Sequence, residues 1–214
     1  ATRDISPEQA CSEFEAVRGS FTRIAERGLE PLTALALQLS PDQLEHAKRH
    51  FAKGDQNFEK DFLRGSPAQR LERRMDRATD RYETLYGALT APQRELLKIG
   101  LQRSPWDPQR NLAERQRRQA ALLQVIRDIQ TTYGAAFNAT RTPAPEAVAA
   151  VRNWSKRLLN SPTPGYAAYS DSLVREGCTQ FAALHNSTSP EQRAHAVEVL
   201  KEYEADMRAL AAQD

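Results

Sequence analysis

The residues with the most reactive chemistry are two cysteines, Cys11 and Cys178. They form no CxxC pair, so a cysteine zinc site is not indicated. Neither has a histidine beside it in sequence to draw off a proton and make a reactive thiolate. Two small buried thiols are the preferred reading, and a long-range Cys11–Cys178 disulfide is the candidate alternative for an oxidising compartment. His46 and His50 stand four apart, a spacing that puts both on one helix face within reach of one metal ion. Lys48 and Arg49 lie between them and there is no HExxH glutamate, so a solvated helix face is the preferred reading and no metal is assigned. Carboxylates are plentiful, but none has the apolar flanks that raise a pKa for acid–base work. A glycine-rich phosphate loop and a GxSxG turn are both missing. No catalytic residue and no cofactor follow from this sequence, and a non-enzymatic protein is expected.

Arginine offers the next chemistry. Arg70, Arg74, Arg77 and Arg81 fall in a line at helical spacing, a surface suited to phosphate groups or an acidic partner. Glu72, Asp76, Asp80 and Glu83 are interleaved, and ion pairs at i,i+4 neutralise much of such a field. A helix laced with ion pairs, available to protein partners, is preferred over a nucleic-acid site. A second anomaly lies further on. The apolar series Leu122, Ile126, Ile129, Tyr133, Phe137, continued backwards, meets Gln119 and Arg115 before Leu112. Either the helix projects beyond its neighbours there, leaving a polar end near Trp106 as a contact surface, or Arg115 is paired with an acid in a buried network.

The elements that position these residues are helices throughout. In 214 residues, 40% are hydrophobic and 27% charged, with only 9 glycines. That balance suits long helices with a narrow apolar stripe and argues against a fold rich in tight β-turns. The formal net charge of +2 gives no strong attraction to nucleic acid or to an anionic membrane. No apolar run is long enough to span a bilayer. One motif recurs: Ser or Thr, a proline, then Gln three residues after the cap. It occurs at Ser6–Gln9, Ser40–Gln43, Ser66–Gln69, Thr90–Gln93 and Ser189–Gln192. Each copy is a capping box, with proline in the first turn where its missing N–H costs nothing, so each predicts a helix start. Between the starts, apolar residues recur every three or four positions. They do so at Phe14, Val17, Phe21, Ile24, Leu32 and Leu35, and again at Met75, Ala78, Tyr82, Leu85 and Leu89. A last series runs Leu200, Tyr203, Met207, Leu210. Pro31 is expected to bend the first helix. The near-heptad spacing predicts helices packed along their length, and the short loops make sequential helices antiparallel neighbours. The expected fold is all-α, an elongated antiparallel bundle of about seven or eight helices. Residues 1–214 are read as a single helical domain, with a sub-boundary near 104–108 as the alternative.

Several of these runs together resemble a known family. They are Leu39-Ser40-Pro41-Asp42-Gln43 through Phe62-Leu63-Arg64-Gly65-Ser66-Pro67, then Arg70-Leu71-Glu72-Arg73-Arg74, Leu89-Thr90-Ala91-Pro92-Gln93-Arg94, Glu114–Gln119 and Ser189–Arg193. They are similar to uncharacterised helical lipoproteins of Gram-negative bacteria. The repeated Ser/Thr-x-x-Gln motif is also similar to that of the periplasmic Spy and CpxP proteins, which are chaperones or stress modulators acting without ATP. These resemblances imply a periplasmic protein, held at the outer membrane by a lipid anchor upstream of this sequence. Its partners would be envelope or unfolded proteins, met in chaperone-like fashion or as a scaffold docking one of them. The candidate contact residues are Arg70, Arg74, Arg77, Arg81, Trp106 and Arg115. Nucleic acid is not among the expected partners.

Overall fold

The computed structural model describes residues 3–212, and over these it is all-helical, with nine α-helices and no strand. In chain order they are α1 (Pro7–Arg27), α2 (Leu29–Gln38), α3 (Pro41–Phe62), α4 (Pro67–Tyr86) and α5 (Ala91–Arg103). They continue with α6 (Pro108–Thr140), α7 (Pro145–Leu159), α8 (Tyr166–Asn186) and α9 (Pro190–Ala211). Five of them begin on the capping motif. At Ser6, Ser40, Ser66, Thr90 and Ser189 the hydroxyl accepts the N–H of the glutamine three residues on. That glutamine's side-chain oxygen accepts the cap residue's own N–H. α6 starts instead on Asp107, whose carboxylate accepts from the N–H groups of Gln109 and Arg110.

Nine helices replace the seven or eight expected, and the reason is local. Pro31 has no N–H to return to the carbonyl of Arg27, so the ladder skips a rung. On either side it continues, with Gly28 N–H on Ile24 and Leu32 N–H on Gly28, both at 3.0 Å. The bend divides what reads in sequence as one helix into α1 and α2.

The chain divides into two compact units, each drawn from separated stretches. The first comprises the described parts of Ala1–Phe14, Gly65–Trp106 and Ser172–Asp214. Here α4 packs on α5 and α9. Its core holds Tyr86, Leu89, Leu97, Leu184 and Ala196, with Met75, Tyr82 and Phe181 against them. The second unit comprises Glu15–Arg64 and Asp107–Asp171. The 33-residue α6 is its spine, packed by α2, α3 and α7. Leu29, Ala36, Leu37, Ile126, Ile129, Phe137, Ala147 and Val151 form its core. Fully burying a residue such as Leu97 or Ile129 contributes about 1.5–3 kcal/mol.

Two apolar series depart from the expectation of packing along their length. Phe14, Val17, Phe21 and Ile24 of α1 are 46–63% exposed, as are Leu32 and Leu35 of α2. Leu200, Tyr203, Met207 and Leu210 of α9 are 50–63% exposed. The helical period was read correctly, but among the described residues these two stripes stand largely in solvent.

Candidate functional site

In the first unit the arginine line runs along α4. Arg70 and Arg74 are half-buried, while Arg77 and Arg81 are exposed. Arg70 donates to the carbonyl of Gly65 at 2.7 Å. The guanidinium of Arg74 lies 4.8 Å from the centre of the Trp106 ring, a cation–π contact that joins two of the residues picked out in the sequence. The backbone N–H of Trp106 donates to Ser104 Oγ, and Ser104 Oγ donates to Glu176 Oε2, both at 3.3 Å. Burial raises the pKa of Glu176, partly offset by the Ser104 bond and the charge of Arg74. Burial likewise pushes the Tyr82 phenol up to about 12. Ser104 is held between a backbone donor and a carboxyl, so it is positioned as a bracket for Trp106 and not as an activated nucleophile.

Cys11 and Cys178 are joined as a disulfide, with their Cα atoms 5.3 Å apart. The bond ties the first turn of α1 to α8 beside Ala10 and Ala182. The same unit holds a buried histidine. His185 takes the Tyr86 hydroxyl on Nδ1 at 2.8 Å, while Nε2 stands 3.0 Å from the carbonyl of Arg3. A carbonyl only accepts, so the ring proton sits on Nε2 and Tyr86 donates to Nδ1. His46 and His50, the pair with metal-ligand spacing, lie exposed on α3.

In the second unit the polar stretch of α6 forms a network in which Arg115 is paired with an acid while remaining partly exposed. Arg115 Nε donates to Asp55 Oδ1 of α3 at 2.8 Å, and Gln119 Nε2 adds a second bond to the same oxygen at 3.0 Å. The arginine remains 46% exposed and the acid only 11%. Gly54 makes room for this crossing, since a Cβ there would lie 2.6 Å from Arg115 Nη2. One residue earlier, Glu114 is the most enclosed charge, with 2% of its side chain exposed. Arg117 grips both its oxygens at 2.8 and 2.9 Å, Arg118 adds a bond at 2.8 Å, and Thr163 donates at 2.8 Å. Burial opposes the charge of Glu114, but these bonds and one from Ser161 outweigh it and hold the pKa at about 2. Next to it Asn111 donates to Tyr169 Oη, and Arg110 lies 4.3 Å from the centre of the Tyr169 ring.

The sequence reading set Trp106 beside the polar Arg115 end of α6, whereas the structure brings Trp106 to Arg74 of the arginine line and assigns Arg115 to the other unit. The sequence reading missed Asp55, Glu114, Thr163 and His185. Thr163 lies in the Ser161–Gly165 break, where proline and glycine mark a loop and give no hint of a buried acceptor. Glu114 had one usable signal, an acid followed at i+3 and i+4 by Arg117 and Arg118.

Neither a curated protein nor a solved structure matches this chain. A family model does, over residues 1–148, a stretch that holds the arginine line, Trp106 and the Glu114 network but stops short of Thr163 and Cys178. By that match the chain belongs to DUF6279, a family of unknown function.

Proposed function

We propose that this is a non-enzymatic protein-binding protein of the periplasm, chaperone-like and independent of ATP, held at the outer membrane by a lipid anchor upstream of this sequence. One observation carries the reading: the uncovered apolar stripe of Val17, Phe21, Ile24, Leu32 and Leu35, every member more than half exposed. The largest apolar patch on an ordinary monomer covers roughly 300–600 Å² and is often functional. Five large side chains stand exposed in succession along α1 and α2. Arg18, Arg23 and Arg27 stand beside them with Glu15, Glu26 and Glu30 interleaved, so the face offers apolar grip within a mixed-charge border and can accept many sequences weakly. The disulfide supports an oxidising compartment, and the resemblance to helical lipoproteins supports the tether.

A second reading is a scaffold that docks one envelope partner. It is favoured by the spacing of Phe14, Val17, Phe21 and Ile24, which alternates three and four residues as in the seam of a coiled coil. The two readings separate on clients. The purified chain is expected to suppress aggregation of two unrelated, chemically unfolded proteins without ATP, where an inert helical protein does not. Phe21→Ser with Ile24→Ser is expected to abolish suppression while changing stability by no more than about 0.5 kcal/mol per site, because both side chains are exposed. No suppression by the parent protein, together with crosslinking to one envelope protein through α1, would reverse the order of the two readings.

A further inference from the structure

Most of α1 stands in water. Of its 21 residues, those from Ser12 to Arg18 and from Phe21 to Arg27 are all exposed, and only Ala10 is buried. A helix of this length is marginal by itself and depends on packing of its apolar face. That face has the spacing of a two-stranded seam. Phe14, Val17, Phe21 and Ile24 follow one another at steps of three, four and three, so Phe14 and Phe21 take the a positions of a heptad and Val17 and Ile24 the d positions. All four are 46–63% exposed.

The charges at its edges say what fits against it. Glu13 precedes Phe14 at a g position, and Arg18 follows Val17 at an e position. In a parallel pair of helices the g residue of one strand meets the e residue five places on in the other, so Glu13 meets the second copy's Arg18, and by two-fold symmetry the pair forms twice. Arg18 lies 3.2 Å from Glu15 of its own helix, but with 44% of its side chain exposed it has further N–H groups to donate. The next edge positions, Ser20 and Ala25, are small and uncharged. An antiparallel pair in which Phe14 meets Ile24 would instead set Arg18 against Arg18 at its centre, where like charges oppose pairing. The stripe of α9 lacks this self-complementarity. Glu204 and Asp206, at the corresponding e and g positions around Tyr203 and Met207, are both acidic.

We propose that α1 pairs in parallel with α1 of a second copy, and that this dimer closes the apolar face offered to clients; the closure rests on the reading of that face as the client surface. Phe14, Val17, Phe21 and Ile24 each meet their own counterpart, while Leu32 and Leu35, beyond the bend at Pro31, stay open. Two heptads bury less than the roughly 800 Å² per partner of a standard interface, so the dimer is weak and reversible and a client competes with the second copy. Confinement of tethered copies to one membrane raises their effective concentration.

Sedimentation velocity of the full chain over about 1–200 µM, the range of a weak dimer, is the first measurement, with a monomer-to-dimer transition expected. Arg18→Glu is expected to weaken the dimer roughly tenfold, and Glu13→Arg with Arg18→Glu to restore it. Both sites are exposed, and circular dichroism checks that each variant folds. Ile24→Cys adds a thiol to a chain whose own cysteines are bonded, and on oxidation it is expected to cross-link to itself, as only the parallel pair sets residue 24 against residue 24. An unfolded client is expected to turn the dimer into a monomer–client complex. A parent that stays monomeric, an Arg18→Glu dimer as tight as the parent's, or Ile24→Cys that fails to cross-link would overturn the pairing, and a dimer that takes up client without dissociating would overturn the closure. A monomeric parent that still suppresses aggregation removes the dimer and leaves the client reading, whereas a dimer without suppression does the reverse.

Discussion

Glu114 shows how a single buried charge sets local energetics. Its carboxylate is taken almost wholly out of water, yet accepts bonds from two guanidiniums and a hydroxyl, so its pKa falls from 4.5 to about 2. A folded pKa below that of the unfolded chain means the stabilisation is complete above about pH 4.5 and is lost as the pH falls toward 2. The gap corresponds to about 3 kcal/mol. Glu114→Gln is therefore expected to lower stability at neutral pH by about that amount and to flatten the stability profile between those pH limits. Urea unfolding at a series of pH values measures both effects. A variant whose profile runs parallel to that of the parent would place the acid sensitivity elsewhere.

The five capping boxes are alike in sequence but not in their surroundings. Gln43 and Gln69 serve only the N-termini of α3 and α4 and remain exposed. Gln93, at the start of α5, is 3% exposed and does more. Its Nε2 donates to the carbonyl of Ser187 at 3.0 Å and to Gln192 Oε1 at 2.8 Å, and Gln192 Nε2 returns a bond at 3.1 Å and another to Ala88 O at 3.0 Å. Two copies of the motif thus lock α5 to α9 through their glutamines. Gln69→Ala is expected to cost about 0.5–1 kcal/mol, the worth of an exposed cap. Gln93→Ala is expected to cost about 2–3 kcal/mol, because it also leaves buried partners unsatisfied. Denaturant midpoints of the two variants, compared side by side, check the ordering, and equal losses would show that the interlock contributes nothing.

At the level of the whole molecule the disulfide closes 167 residues of chain between α1 and α8. Cross-linking so long a loop removes much of the freedom of the unfolded chain, worth about 4–5 kcal/mol on the chain-entropy account. Beyond its first turn α1 has little packing of its own, with Phe14, Val17, Phe21 and Ile24 in solvent. Reduction, or Cys11→Ser with Cys178→Ser, is expected to lower stability by about 4 kcal/mol and to release the start of α1. Hydrogen exchange over residues 7–27 would report the release. Denatured, unreduced protein is expected to take up no thiol reagent; labelling of both cysteines would contradict the bond.

Helical class, the starts of five helices and a bend at Pro31 were legible in the sequence, because caps, prolines and apolar periodicity act over a few residues; that the bend divides the helix in two was not. The stripe of Met75, Ala78, Tyr82 and Leu85 on α4, continued by Leu89, was also read correctly as a packed face. Which stripes find a partner was not legible, since Val17, Phe21 and Ile24 carry the same pattern as Met75, Ala78 and Tyr82 yet stay in water. Periodicity states which face of a helix is apolar and not what lies opposite it. The same limit applies to charge. Arg115 stood out as a polar residue on an inward face, but its partner Asp55 lies 60 residues away. Thr163 reaches Glu114 across 49 residues, and Arg157 shares a cleft with Arg117 only because α7 folds back on α6. Local chemistry determined the helices of this protein; the long-range meeting of α3, α6 and α7 decided which charges are buried.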